Sequence, residues 1–149
     1  MSLEKKVMDK MKQAMKAKDT LALASLRSVK SELLKAKTSA DSSGEMTAED
    51  EIKLLQRLVK QRKDSAQVYA EQGRDDLAEP ELKEAKIIEA FLPEQLSDEE
   101  VNEAVQTIIK QTGSSSMKDM GKVMGLANKE LAGKADGKRI STAVKAQLS

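Results

Sequence analysis

Three Gly-Lys dipeptides, Gly121-Lys122, Gly133-Lys134 and Gly137-Lys138, most invite a chemical reading in this chain. In a phosphate-binding loop the Lys would be followed by Ser or Thr and the loop preceded by a strand. Here Val, Ala and Arg follow and no strand pattern precedes, so nucleotide binding by that route fails. Ser115-Ser116-Met117-Lys118 spells the S-x-x-K of Ser–Lys nucleophiles. With 21 Lys in the chain such a match arises by chance, and a capping turn explains it better. Asp75-Asp76 and Asp98-Glu99-Glu100 are adjacent carboxylates at predicted helix starts, where they favour the helix dipole. The chain has no His and no Cys. That removes zinc and haem ligation, Cys–His nucleophiles, disulfides and the commonest general acid–base. No catalytic constellation results, and neither a cofactor nor a metal is expected.

What remains is charge and glycine. The formal net charge is only +1, yet the charge is segregated. Residues 1–37 hold ten basic and four acidic side chains, and residues 113–149 hold seven basic and three acidic. Solvated helix faces account for most of these Lys. The sharper alternative is a basic C-terminal surface that meets a polyanion, built from Lys118, Lys122, Lys134, Lys138, Arg139 and Lys145. Gly121 and Gly125 lie one turn apart on a predicted helix, each costing about 1 kcal/mol relative to Ala. Either a closely packed neighbouring helix or a ligand against the bare face must offset that cost, and close packing is the expectation. Stacking of single-stranded RNA needs aromatics, and the chain has only Tyr69 and Phe91, both on apolar faces. An RNA partner would therefore be a structured one, read by shape and phosphate position.

The elements that must position these residues are helical. Ala, Glu, Lys, Leu and Arg make up 75 of the 149 residues, and no alternating Val/Ile/Thr run reads as a strand. The expected fold is all-α. Leu3, Val7, Met8, Met11 and Met15 mark a helix over 3–17, and Asp19 or Thr20 caps the next, carrying Ala22, Leu26, Val29, Leu33 and Ala36. Residues 39–44 read as a mobile loop. Thr47 with Asp50 starts a long helix with Ile52, Leu55, Leu58, Val59, Ala66 and Tyr69 on its apolar side, ended by Gly73. A fourth helix buries Leu77, Leu82, Ala85, Ile88 and Phe91, with its first turn frayed or kinked at Pro80, and stops at Leu92-Pro93. Ser97 and Glu100 box the start of a fifth, which Gly113 ends. A sixth begins at Met117, and Asp136 caps a seventh. The methionines are read as core filler. A boundary at Pro93-Glu94-Gln95 divides an N-terminal domain of four long helices (1–93) from a C-terminal three-helix domain (94–149) of roughly fifty residues.

The order of motifs resembles the GatB/YqeY family over nearly the whole chain. Asp119-Met120-Gly121-Lys122-Val123-Met124-Gly125 and Gly133-Lys134-Ala135-Asp136-Gly137 resemble its C-terminal signature. Leu26-Arg27, Gln61-Arg62-Lys63-Asp64-Ser65, Gly73-Arg74-Asp75-Asp76-Leu77 and Leu92-Pro93-Glu94-Gln95-Leu96 agree, and Pro80 is the one departure. The resemblance implies a C-terminal domain similar to the tail of the B subunit of glutamine-dependent tRNA amidotransferase, a carbon–nitrogen ligase. In the family that tail is associated with holding tRNA, and the domains that phosphorylate and amidate have no counterpart in this chain.

The leading expectation is a non-catalytic accessory that binds or positions tRNA or another structured RNA. The resemblance implies Gly121, Lys122, Gly125, Lys134, Asp136 and Gly137 as its contact residues, and charge adds Lys118, Lys138 and Arg139. Lys would fix phosphates, Gly would allow close approach, and Asp136 would hold the last helix start in shape. The alternative is a helical protein–protein adaptor whose basic N-terminal helices dock a partner, a translation-related protein among the candidates. The third reading is a subunit of a carbon–nitrogen ligase with glutamine as amido donor. No apolar run is long enough to span a membrane, and no membrane partner is expected. The lack of Cys fits a reducing compartment, and the expected location is cytoplasmic.

Overall fold

The caps explain where the helices begin. In the computed structural model, which describes residues 2–39 and 46–149, Ser2 accepts a hydrogen bond from the Lys5 N–H and opens α1 (Leu3–Lys16). Asp19, rather than Thr20, caps α2 (Thr20–Thr38) through the Ala22 N–H. Between them Lys18 takes a left-handed φ of 56°, a conformation that usually goes to Gly. Thr47 and Asp50 form a reciprocal capping box at the start of α3 (Ala48–Glu71). Gly73, at φ 73°, turns the chain into α4 (Asp75–Glu89). Ser97 and Glu100 form a second box on α5 (Asp98–Thr112), which left-handed Gly113 ends. A 3₁₀ turn (Met117–Asp119) leads into α6 (Met120–Glu130), and Asp136 caps α7 (Gly137–Leu148). All described regular structure is helical. The loop expected over 39–44 lies, from residue 40 on, outside the described residues.

Backbone contacts group the chain into two compact units, residues 1–92 and 93–149. In the first, α1 pairs with α2 and α3 with α4, and α2 packs on both α3 and α4. Its core is Leu3, Val7 and Ala14 from α1, Leu26, Val29 and Leu33 from α2, Leu54, Leu55, Leu58 and Val59 from α3, and Ala85 and Ile88 from α4. Arg62 ties three of these helices. Its guanidinium donates to the Ser28 hydroxyl of α2 at 2.9 Å, while Nε makes an ion-pair contact, not a hydrogen bond, with Glu84 of α4 at 3.4 Å. In the second unit α5, α6 and α7 pack pairwise around Val101, Val105, Ile108, Val123, Ala127, Ile140 and Val144.

Several expectations need correction. Met11 and Met46 pack at the edge of the first core and Met120 and Met124 at the edge of the second, as filler should. No described methionine is fully buried, however; Met8, Met15 and Met117 are exposed, and the large enclosed side chains are Val, Ile and Leu. These stiffer side chains lose less rotamer freedom when fixed in a core than an unbranched Met. Leu77 and Leu82 are also exposed, while Ala78 is buried on α4 in their place. The helix runs through Pro80 without a break. Pro80 lies one turn in, so its missing N–H orphans only the Asp76 carbonyl, in an exposed first turn. The sixth helix starts at Met120, because the Ser116 cap holds 117–119 in a 3₁₀ turn.

Candidate functional site

The polar loops of the second unit are committed to structure. The Ser115 N–H donates to Asp119 at 3.1 Å and the Lys118 N–H to Ser116 at 3.3 Å, so the S-x-x-K stretch is a capping turn. Gln95 donates to the carbonyls of Pro93 and Gly133, and the Leu96 N–H to the Lys134 carbonyl. Gln95 and Leu96 are thereby strapped to the Gly133–Lys134 loop, where buried Gly133 holds φ 78°. The Gly133 carbonyl lies 38 residues from Gln95, a pairing that sequence spacing does not display.

The C-terminal site residues fall into two groups. At the start of α7, Asp136 accepts from the Arg139 N–H at 2.8 Å, the capping role expected of it. Lys134, Gly137 and Lys138 are exposed. Arg139 is not a free cation: its Nε donates to Asp98 at 2.9 Å and its Nη2 to the Leu96 carbonyl, joining α7 to the entry of α5. These bonds give Arg139 a structural role that the sequence did not display. Lys138 and Arg139 line an open groove between α5 and α7 with Asp98, Val101 and Asn102, where the Asp98 carboxylate counters an anion.

The second group lies on α6. Val123 and Ala127 face the core, so Gly121 and Gly125, offset from them by half a helical turn, face outward. A Cβ built on either glycine would meet nothing within 4 Å. Packing against a neighbouring helix, the expected reason for the pair, is overturned. Lys122 and Lys129, seven residues apart, run along one side of this bare face, and Lys118 precedes them by a turn. All three are exposed. Lys129 joins the sequence-predicted Lys122 here, and their seven-residue spacing is the signal that could have marked it. Lys145 is exposed near the end of α7. Among the described residues no group of three or more Asp or Glu is placed to hold a metal.

Fold and site therefore define an all-helical protein that carries a solvent-facing glycine pair beside a lysine row. The family model of Yqey-like proteins matches residues 4–148, and the chain belongs to that family. It is similar to the "Altered inheritance of mitochondria protein 41, mitochondrial" of Clavispora lusitaniae, 34% identical over 126 residues, which cover 82% of this chain and 72% of that protein. The protein of the same name from Vanderwaltozyma polyspora is 32% identical over 120 residues, 74% of this chain and 62% of the relative. These names overturn the cytoplasmic expectation, since both relatives are named mitochondrial. A chain without Cys needs no disulfide and is at home in any compartment, so the missing Cys does not single out the cytoplasm. Among the described residues no helix is long and apolar enough to cross a membrane.

Proposed function

We propose that this protein is a non-catalytic accessory that binds structured RNA, tRNA first among candidates, through the outward face of α6, in a mitochondrial setting like that named for its relatives. The observation that carries the reading is the glycine pair with open space in front of it. Two glycines on one exposed helical face sacrifice helix stability, and no packing in the described fold repays it. A backbone that approaches closely does, and phosphates of that backbone fit Lys118, Lys122 and Lys129. In this reading the two contact units are separate domains, a four-helix and a three-helix one, and the second holds the RNA. Lys134 and Lys138 extend the surface, while Asp136 and Gly137 shape it.

The test is binding of the purified chain to total tRNA across a salt series. Affinity that falls steeply with salt is expected, with the log–log slope reduced by about one for each of Lys118→Glu, Lys122→Glu and Lys129→Glu. Absence of binding at low salt, or an unchanged slope in the folded triple variant, overturns the reading.

A further inference from the structure

A second basic surface, in the N-terminal unit, has a different character. On α1, Met8 and Met15 are seven residues apart on one stripe and are 41% and 55% exposed. Glu4, one turn before Met8, pairs with Lys37 of α2 and also feels Lys30, which places that flank of α2 beside the methionine stripe. Leu34, between those two lysines, is 47% exposed. Lys5, Lys12 and Lys16 follow the other side of the stripe, all exposed. Three apolar tips thus project among basic side chains, and Glu4, at the end of the stripe, is already paired.

We propose that this α1–α2 face rests on an anionic phospholipid surface, with Met8, Met15 and Leu34 entering the headgroup boundary and the flanking lysines meeting lipid phosphates. Charge complementarity and the form of the apolar groups select this occupant. A nucleic-acid backbone offers nothing for exposed Met and Leu side chains, and the face carries no aromatic on which a base could stack. Apolar tips flanked by a lysine-rich polar side suit an anionic bilayer, and a protein partner is the reading left if mixed vesicles are not bound. The headgroup boundary accepts projecting apolar tips at any spacing and rewards each nearby base. The contact is peripheral, compatible with the lack of a spanning helix among the described residues. It is also independent of the α6 reading.

The experiment is co-sedimentation of the full chain with vesicles of phosphatidylcholine alone and of phosphatidylcholine mixed with phosphatidylserine. Binding to the mixed vesicles only is expected, weakened by salt. Lys12→Ala with Lys16→Ala should lose roughly five-fold per base. The charge-neutral Met8→Gln, Met15→Gln, Leu34→Gln variant should lose several-fold while its tRNA binding stays as in the parent. Gln matches Met and Leu in helix propensity and the sites are exposed, so the variant keeps its fold, checked by its circular dichroism. No binding to the mixed vesicles overturns the proposal. So does full binding by the Gln variant, which would leave a plain polyanion surface. Loss of vesicle binding through Lys118, Lys122 and Lys129 alone overturns it too.

Discussion

Gly121 and Gly125 stand one turn apart on the outward side of α6, and a Cβ on either would touch nothing within 4 Å. Neither has a positive φ, so Ala fits the backbone at both positions. Gly125→Ala should therefore stabilise the protein by about 1 kcal/mol, and Gly121→Ala by less because it lies in the first turn. The same variants should weaken tRNA binding. Urea midpoints and binding curves on one pair of samples check both effects; stabilised variants that bind as before would free the glycines of any contact role.

Arg139 is held by Asp98 and the Leu96 carbonyl, so its loss should register as stability rather than affinity. Arg139→Gln is expected to cost about 1–2 kcal/mol in urea unfolding. The salt slope of tRNA binding should stay at the parent value. A slope lowered as far as by Lys122→Glu would return Arg139 to the contact surface.

Arg62 lies between Ser28 and Glu84, with both partners of the ion pair largely enclosed. Arg62→Ala should cost about 3 kcal/mol, near the low end for a buried pair because some water still reaches it. Burial first, and then the Glu84 charge, raise the Glu81 pKa above the usual carboxylate value, against the pull of Arg62. A raised acid holds extra protons in the folded state, so its stability contribution is full at low pH and lost as pH rises through the folded pKa. Glu81→Gln should therefore stabilise at neutral pH, with the gain vanishing below the ordinary carboxylate range. Unfolding midpoints measured across that range show whether it does.

Ser97 and Glu100 secure the entry to α5. The Ser97 backbone N–H, then its hydroxyl, lower the Glu100 pKa. The stability this brings is present above the ordinary carboxylate value and lost as pH falls through the lowered one. Ser97→Ala should cost about 1 kcal/mol and blunt that acid dependence. Thermal melts at neutral and acid pH read out both.

The helix starts were legible because caps are local: Asp19, Thr47, Ser97 and Asp136 each bond a backbone N–H three residues on, and sequence spacing alone displays that. The heptad-like recurrence of Val, Ile and Leu likewise located both cores, and the motif order placed the chain in its family. Composition determined that the fold is helical. What tertiary structure decided was which flank of each helix meets a neighbour. Met8, Met15, Leu77 and Leu82 sit at apolar periods and yet are exposed, because a helix buries only the arc its neighbours cover. Gly121 and Gly125 read alike for packing and for approach until the empty space in front of them was known. Arg139 reads as a free cation in the sequence, and only the fold sets Asp98, 41 residues earlier, beside it. Partners distant in sequence leave no periodic trace, so only the folded chain reveals which charges are already used and which are free.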